Sequence, residues 1–101
     1  MSQVLKFLAL EWTTDIIRVL SQAEMLRFGE LRRSLPGAIS ARVLSLRLKQ
    51  MQAWGLVDRD DRGEKPQHVA YSLTNSGRDL HRALEEMEKI CALLSLPMQA
   101  G

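Results

Sequence analysis

The side chains best suited to chemistry in this sequence are cations. Arg27, Arg32, Arg33, Arg42, Arg47 and Lys49 fall in one middle stretch that holds a single acid, Glu30, so that stretch carries +5 while the rest of the 101 residues carry −3. A guanidinium offers a planar fork of donors that pairs bidentately with phosphate or a base edge, and an ammonium is a compact point charge. A basic island in a chain of net charge +2 is a candidate footprint for a polyanion. A solvated helical face gives the same pattern. Other chemistries lack their residues: there is no Gly-rich phosphate loop, no nucleophile elbow and no carboxylate pair beside a base, so no catalytic site is legible. Cys91, the sole cysteine, has no mate for an internal disulfide or a multi-thiolate metal cage, which suits a reducing compartment. On an apolar stripe it reads as a small hydrophobe, with an intermolecular bridge as its one redox option. His68 and His81 have no carboxylate or cysteine at ligand spacing. Neither a metal nor another cofactor is expected.

The elements that must position the cations follow from periodicity. A chain of this length, 46% hydrophobic and 26% charged, fits one globular domain over residues 1–101. Its apolar runs are too short for a membrane span or a secretory leader, so a cytoplasmic protein is expected. Val4, Leu5, Phe7 and Leu8, then Trp12, Ile16, Ile17, Val19 and Leu20, predict two helices or one bent one. A short helix follows, with Phe28, Leu31 and Leu35 on one stripe and Arg27, Arg32 and Arg33 pointing elsewhere, and Pro36-Gly37 ends it. Ser40 is a good N-cap for a helix running to Trp54, stopped by Gly55. At 100° per residue its stripe Leu44, Leu48 and Met51 faces inward. Arg42, Ser45, Leu46 and Lys49 then lie about 100° to 200° away from that stripe. After Gly55 the period changes to two: Leu56-Val57 opens a strand, Asp58 to Gln67 is a polar tip, and Val69, Tyr71 and Leu73 alternate with Ala70 and Ser72. Thr74 caps a last helix over about 75–94, with Leu80, Leu84, Met87, Cys91 and Leu94 on one stripe, and the tail from Pro97 is expected to fray.

Helix, tight turn, helix, hairpin and helix is the order of a winged helix-turn-helix: mainly α with a small β-hairpin wing over about 57–73. A helix fits the major groove of B-DNA, so the helix at about 40–54 is the candidate reader. Arg42 suits a guanine edge, Ser45 a base edge or a phosphate, and Lys49 a phosphate. Leu46 either touches a thymine methyl or is a stray exposed apolar side chain. The candidate DNA contacts are Arg27, Arg32, Arg33, Ser40, Arg42, Ser45, Leu46 and Lys49, with Arg62 and Lys65 on the wing. Trp12, Trp54 and Tyr71 either line an effector cavity or are core, and no residue names an effector.

The segment RFGELRRSLPGAISARVLSLRLKQMQAWGLVDR, followed by VAYSLTNSGRDL, resembles the HxlR-type transcriptional regulators, a branch of the MarR-like winged-helix proteins. The likeness runs from about Trp12 to Ile90. It implies a homodimer that binds double-stranded DNA at an inverted-repeat operator and regulates nearby genes, with no enzymatic activity. Four departures stand out. The N-terminal Cys-Pro of many members, a redox switch in some, is absent, and Leu10-Glu11 replaces the usual Gly-Lys, so thiol sensing by that route is not expected. Ala38 reads as a one-residue insertion that would change how the recognition helix is presented. Asp60 and Asp61 dilute the positive field of the wing.

Dimerisation is also expected from apolar surface that so small a chain cannot bury alone: Val4, Leu5, Phe7 and Leu8 on the first helix, and Leu84, Met87, Ile90, Cys91 and Leu94 on the last. The alternative is a monomer in which these two helices pack together. The rival function is a winged-helix protein-interaction module without specific DNA binding, for which the basic segment would have no physical use.

Overall fold

Short polar side chains set where the helices begin. Ser2 Oγ accepts from Leu5 N at 3.3 Å to open α1 (Gln3–Leu8), and Ser40 Oγ accepts from Val43 N at 3.1 Å to open α4 (Ala41–Ala53). Thr74 Oγ1 accepts from Gly77 N at 3.0 Å at the start of α5 (Asn75–Ala100). Before α3 (Phe28–Ser34) the Glu30 carboxylate reaches back to Arg27 N at 2.9 Å. Each contact satisfies a donor that a helix start would leave orphaned. Helix α2 (Thr13–Leu20) starts differently, from Trp12 in the left-handed region at φ 76°. The computed structural model describes residues 2–61 and 69–100, with the backbone alone for 95–100.

Three short strands, β1 (Leu26–Arg27), β2 (Val57–Asp60) and β3 (Ala70–Leu73), form an antiparallel sheet in the order β1-β3-β2. Leu26 pairs with Tyr71 and Arg27 with Ala70, while Val57 pairs with Leu73 and Arg59 with Tyr71. The core lies between the helices and this sheet. Ile16, Ile17 and Leu20 of α2, Leu31 of α3 and Leu44, Leu48 and Met51 of α4 are its fully buried side chains, with Val57, Tyr71 and Leu73 closing it from the sheet.

The architecture is the expected mainly helical one with a small β wing, and it departs from the sequence reading in several places. Strand β1 adds a third strand to the hairpin. Two residues carry no readable period, and β1 exists because β3 offers a free edge more than forty residues along the chain. Arg27 therefore precedes α3 instead of riding on it. Because β3 is central, Ala70 is buried along with Tyr71 and Leu73, which blurs the expected alternation. Helix α5 continues through Pro97 to Ala100, past the expected end near Leu94. A proline's fixed φ of about −65° lies within the helical range, so backbone conformation alone does not end the helix there. Phe7, expected on a dimer face, is 6% exposed and belongs to the core, where its ring lies 6.3 Å from that of Trp54. Leu8 and Leu84 also pack on the core, whereas Cys91 is exposed.

One junction ties α4, β3 and α5 together. Thr74 Oγ1 donates to Gly55 O at 2.6 Å and Thr74 N donates to Leu56 O at 3.0 Å. Gly55 at φ 73° supplies the left-handed stop after α4. The start of α5 then comes so close that a Cβ at Gly77 would lie 2.2 Å from Leu56 O, a backbone atom that cannot step aside. Gly77→Ala is therefore expected to destabilise the protein by about 3 kcal/mol, at the upper end of overpacking costs. Gly55→Ala meets nothing within 4 Å and should cost only about 1 kcal/mol of left-handed strain. Urea unfolding of the two variants checks this order.

Candidate nucleic-acid interface

Helix α4 is oriented by its apolar stripe. With Leu44, Leu48 and Met51 buried in the core, Arg42, Ser45, Leu46 and Lys49 are left on the outside. All four residues expected to face a partner are exposed together on this one helix.

Contacts at its start, middle and end fix where the helix lies. Arg32 Nε donates to Ile39 O at 2.9 Å, clamping the turn between α3 and α4. In the same turn Gly37 has φ 76°, and a Cβ there would stand 3.0 Å from the Trp12 ring, so the indole is seated directly against the turn. Midway along α4, Arg47 Nε donates to Glu11 O and its Nη1 to Gln50 Oε1, both at 3.2 Å. At the far end Trp54 meets Phe7. The segment from α1 to α2 therefore holds the helix-turn-helix at three points.

The six cations of the basic stretch thus divide by role. Arg47 is turned inward and half-buried; it lies only about 60° from Leu44 around the helix, a spacing that marks it as a border residue. Arg32 spends one donor on the turn, although the residue itself stays exposed. Among the described residues Arg33, Arg42 and Lys49 have no side-chain hydrogen bond or ion pair, and all three are exposed. Arg27 is exposed at the outer strand β1. Ser40 is exposed, with its oxygen occupied by the cap and its hydroxyl proton left to donate. Arg62 and Lys65 lie outside the described residues. The adjoining strand β2 is acidic, and Arg59 there is paired with Asp61 at 3.5 Å.

One residue of this face escaped the sequence reading. Gln52 is exposed seven positions after Ser45, and that two-turn spacing is the signal that puts both on one edge of α4. The aromatic residues do not converge on a common cavity: Trp12 lies on Gly37, Trp54 on Phe7 and Tyr71 near Phe28.

A short helix, a glycine turn and a second helix with an outward cationic face, followed by an antiparallel wing, form a winged helix-turn-helix. A family model described as HxlR-like helix-turn-helix matches residues 7–95. The chain belongs to this family of transcriptional regulators. Members of the HxlR-like family are regulators and not enzymes. The chain is 37% identical over 79 residues to an uncharacterized HTH-type transcriptional regulator of Bacillus subtilis, YdzF, which covers 78% of this chain and 72% of YdzF. It is 33% identical over 88 residues to the HTH-type transcriptional regulator YodB of the same organism, covering 87% of this chain and 77% of YodB. The structure of reduced YodB superposes with a TM-score of 0.82 at 30% identity, across 96% of this chain and 97% of the other. Among the described residues no helix of this HxlR-like chain is long and apolar enough to cross a membrane.

The division of the cations has a measurable consequence. Arg47→Ala removes two hydrogen bonds and the packing of a half-buried stem, and is expected to lower stability by about 1 to 2 kcal/mol. Arg42→Ala touches nothing inside the fold and should leave stability within about 0.5 kcal/mol. Thermal unfolding of both variants distinguishes the structural cation from the free one.

Proposed function

We propose that this regulator binds an inverted-repeat DNA operator as a homodimer, with α4 in the major groove of each half-site. The observation that carries the reading is the outward face of α4, where Arg42 and Lys49 are exposed and free of ion-pair partners among the described residues. An unpaired guanidinium near the start of a helix suits bidentate pairing with guanine O6 and N7. Ser45, beside it, donates to a base edge or a phosphate. Lys49 and the cations Arg27, Arg32 and Arg33 neutralise backbone phosphates, with Ser40 at the helix start as an additional phosphate donor. Arg62 and Lys65 are assigned to wing contacts with phosphate or minor groove. The regulator would act in the cytoplasm, where its operator is.

The homodimer is supported by the apolar stripe of α5, which outlasts the domain that it belongs to. Leu80 and Leu84 pack on the core, but Met87 and Ile90 are 53% and 52% exposed, Leu94 is 68% exposed, and Cys91 lies between them in the open. Leu93, at 68%, widens the patch beyond the residues expected from sequence, and Val4 and Leu5 of α1 offer further apolar surface. A patch of this kind on a chain this small calls for a partner surface, and a two-fold axis lets the same patch supply both sides. Two recognition helices would then stand about 34 Å apart, one DNA turn.

Selection from a pool of randomised duplexes, followed by anisotropy titrations over a salt series, tests the reading. A palindromic sequence bound by two chains is expected. Arg42→Ala should weaken specific binding more than nonspecific binding, whereas Lys49→Ala should weaken both alike and reduce the salt slope by about 1. Ile90→Glu should shift the sedimentation mass from two chains to one and lose specific affinity with it. Enrichment of no sequence, with weak and equal binding to every duplex, would favour the interaction-module reading.

A further inference from the structure

We infer that Leu46 is a specificity-determining residue that reads the 5-methyl group of a thymine in each half-site, one or two base pairs from the guanine read by Arg42. The inference rests on the docking of α4 proposed above and adds a base requirement to it. Leu46 is half-exposed, at 50%, although it sits on the most polar face of its helix. Arg42 stands four residues before it, Ser45 directly before it and Lys49 three residues after it, and all are exposed. Its side chain is therefore in the middle of the face that would enter the groove, and the fold makes no full use of it.

Docking would strip water from that leucine and from whatever lies opposite. The edges of base pairs in the major groove are lined by polar acceptors and donors: N7 and O6 of guanine, N4 of cytosine, N7 and N6 of adenine, O4 of thymine. An isobutyl group over any of these desolvates a polar atom without giving it a hydrogen bond, which is unfavourable. The 5-methyl of thymine is the one apolar group on offer, and packing against it buries apolar surface on both sides. Favourable contact at one base and penalties at the other three make an aliphatic side chain selective without a hydrogen bond. One turn of helix separates Arg42 from Leu46, a rise of about 6 Å. With successive base pairs about 3.4 Å apart, that rise sets the spacing of one to two pairs between the two bases read.

Replacement of thymine by uracil removes only the methyl group and leaves every hydrogen-bonding atom in place. The test takes the sequence enriched by the full-length protein from randomised duplexes and replaces its thymines by uracil one symmetric pair at a time. Affinity is measured for the native protein and for Leu46→Ala, whose half-exposed position leaves the fold intact, as thermal unfolding will verify. One symmetric pair of thymines is expected to cost the native protein about fourfold per half-site when converted to uracil, the value of one buried methyl group. Leu46→Ala is expected to bind the thymine duplex about as weakly as the native protein binds the uracil one, and to be indifferent to the exchange. Tolerance of uracil at every position, or equal sensitivity in Leu46→Ala, would overturn the assignment to Leu46 while leaving the docking of α4 standing. Failure to enrich any sequence would remove the docking itself and the inference with it.

Discussion

Burial of the Leu44–Leu48–Met51 stripe of α4 is the interaction on which everything else depends. Each of these side chains is essentially inaccessible to water, and together they contribute about 5 to 9 kcal/mol of hydrophobic stabilisation. No surface contact of α4 approaches that magnitude, so the stripe alone decides how the helix is rotated about its axis. A rotation that exposed it would also bury Arg42 and Lys49, which have no partners in the interior to meet their charge. The direction of the cationic face is thus a by-product of core packing. The two requirements agree because residues three and four apart share a face of a helix and those two apart do not.

Rotation about its axis does not settle where the helix lies in space, and the segment joining α1 to α2 does that. Trp12 holds a left-handed backbone that costs a non-glycine residue about 1 to 2 kcal/mol. That conformation brings the indole onto Gly37 and the Glu11 carbonyl within reach of Arg47. With Phe7 against Trp54, α4 is held at its turn, its middle and its end. Local strain at one residue is accepted where two separate contacts follow from it. It also links α1, whose outer side bears Leu5, to the orientation of α4 through contiguous packing.

Helix α5 serves two environments in turn. Its first half is fixed by Thr74 and by the close approach of Gly77 to Leu56, and its Leu80 and Leu84 complete the core. Beyond that point the same stripe continues as Met87, Ile90 and Leu94, with nothing among the described residues to cover it. A helix of 26 residues is about 39 Å long, well over the 22 and 26 Å of the molecule's shorter dimensions, so its far end must project. Strand β2, by contrast, is acidic. Its Arg59 is paired with Asp61, whereas Arg33 of α3 and Arg42 and Lys49 of α4 have no ion pair among the described residues.

Much of this molecule was determined by sequence alone. Helix α4 was legible because its stripe, its Ser40 cap and its Gly55 stop are local features that obey one period. The exposed set Arg42, Ser45, Leu46 and Lys49 followed from the same geometry. Thr74 was readable as a cap for the same reason. What tertiary structure decided is whatever depends on a partner distant in the chain. Strand β1 has no pattern of its own and forms only because β3 has an edge to offer. Phe7 and Leu84 are apolar side chains on helical stripes just as Ile90 is, and only the arrangement of the helices puts the first two on the core and the third in solvent. Arg47 counts as one more positive charge until the Glu11 carbonyl arrives beside it. Periodicity reports which side of an element is apolar. It cannot report what will be there to cover that side, because that is fixed by contacts between residues whose separation along the chain carries no local signal.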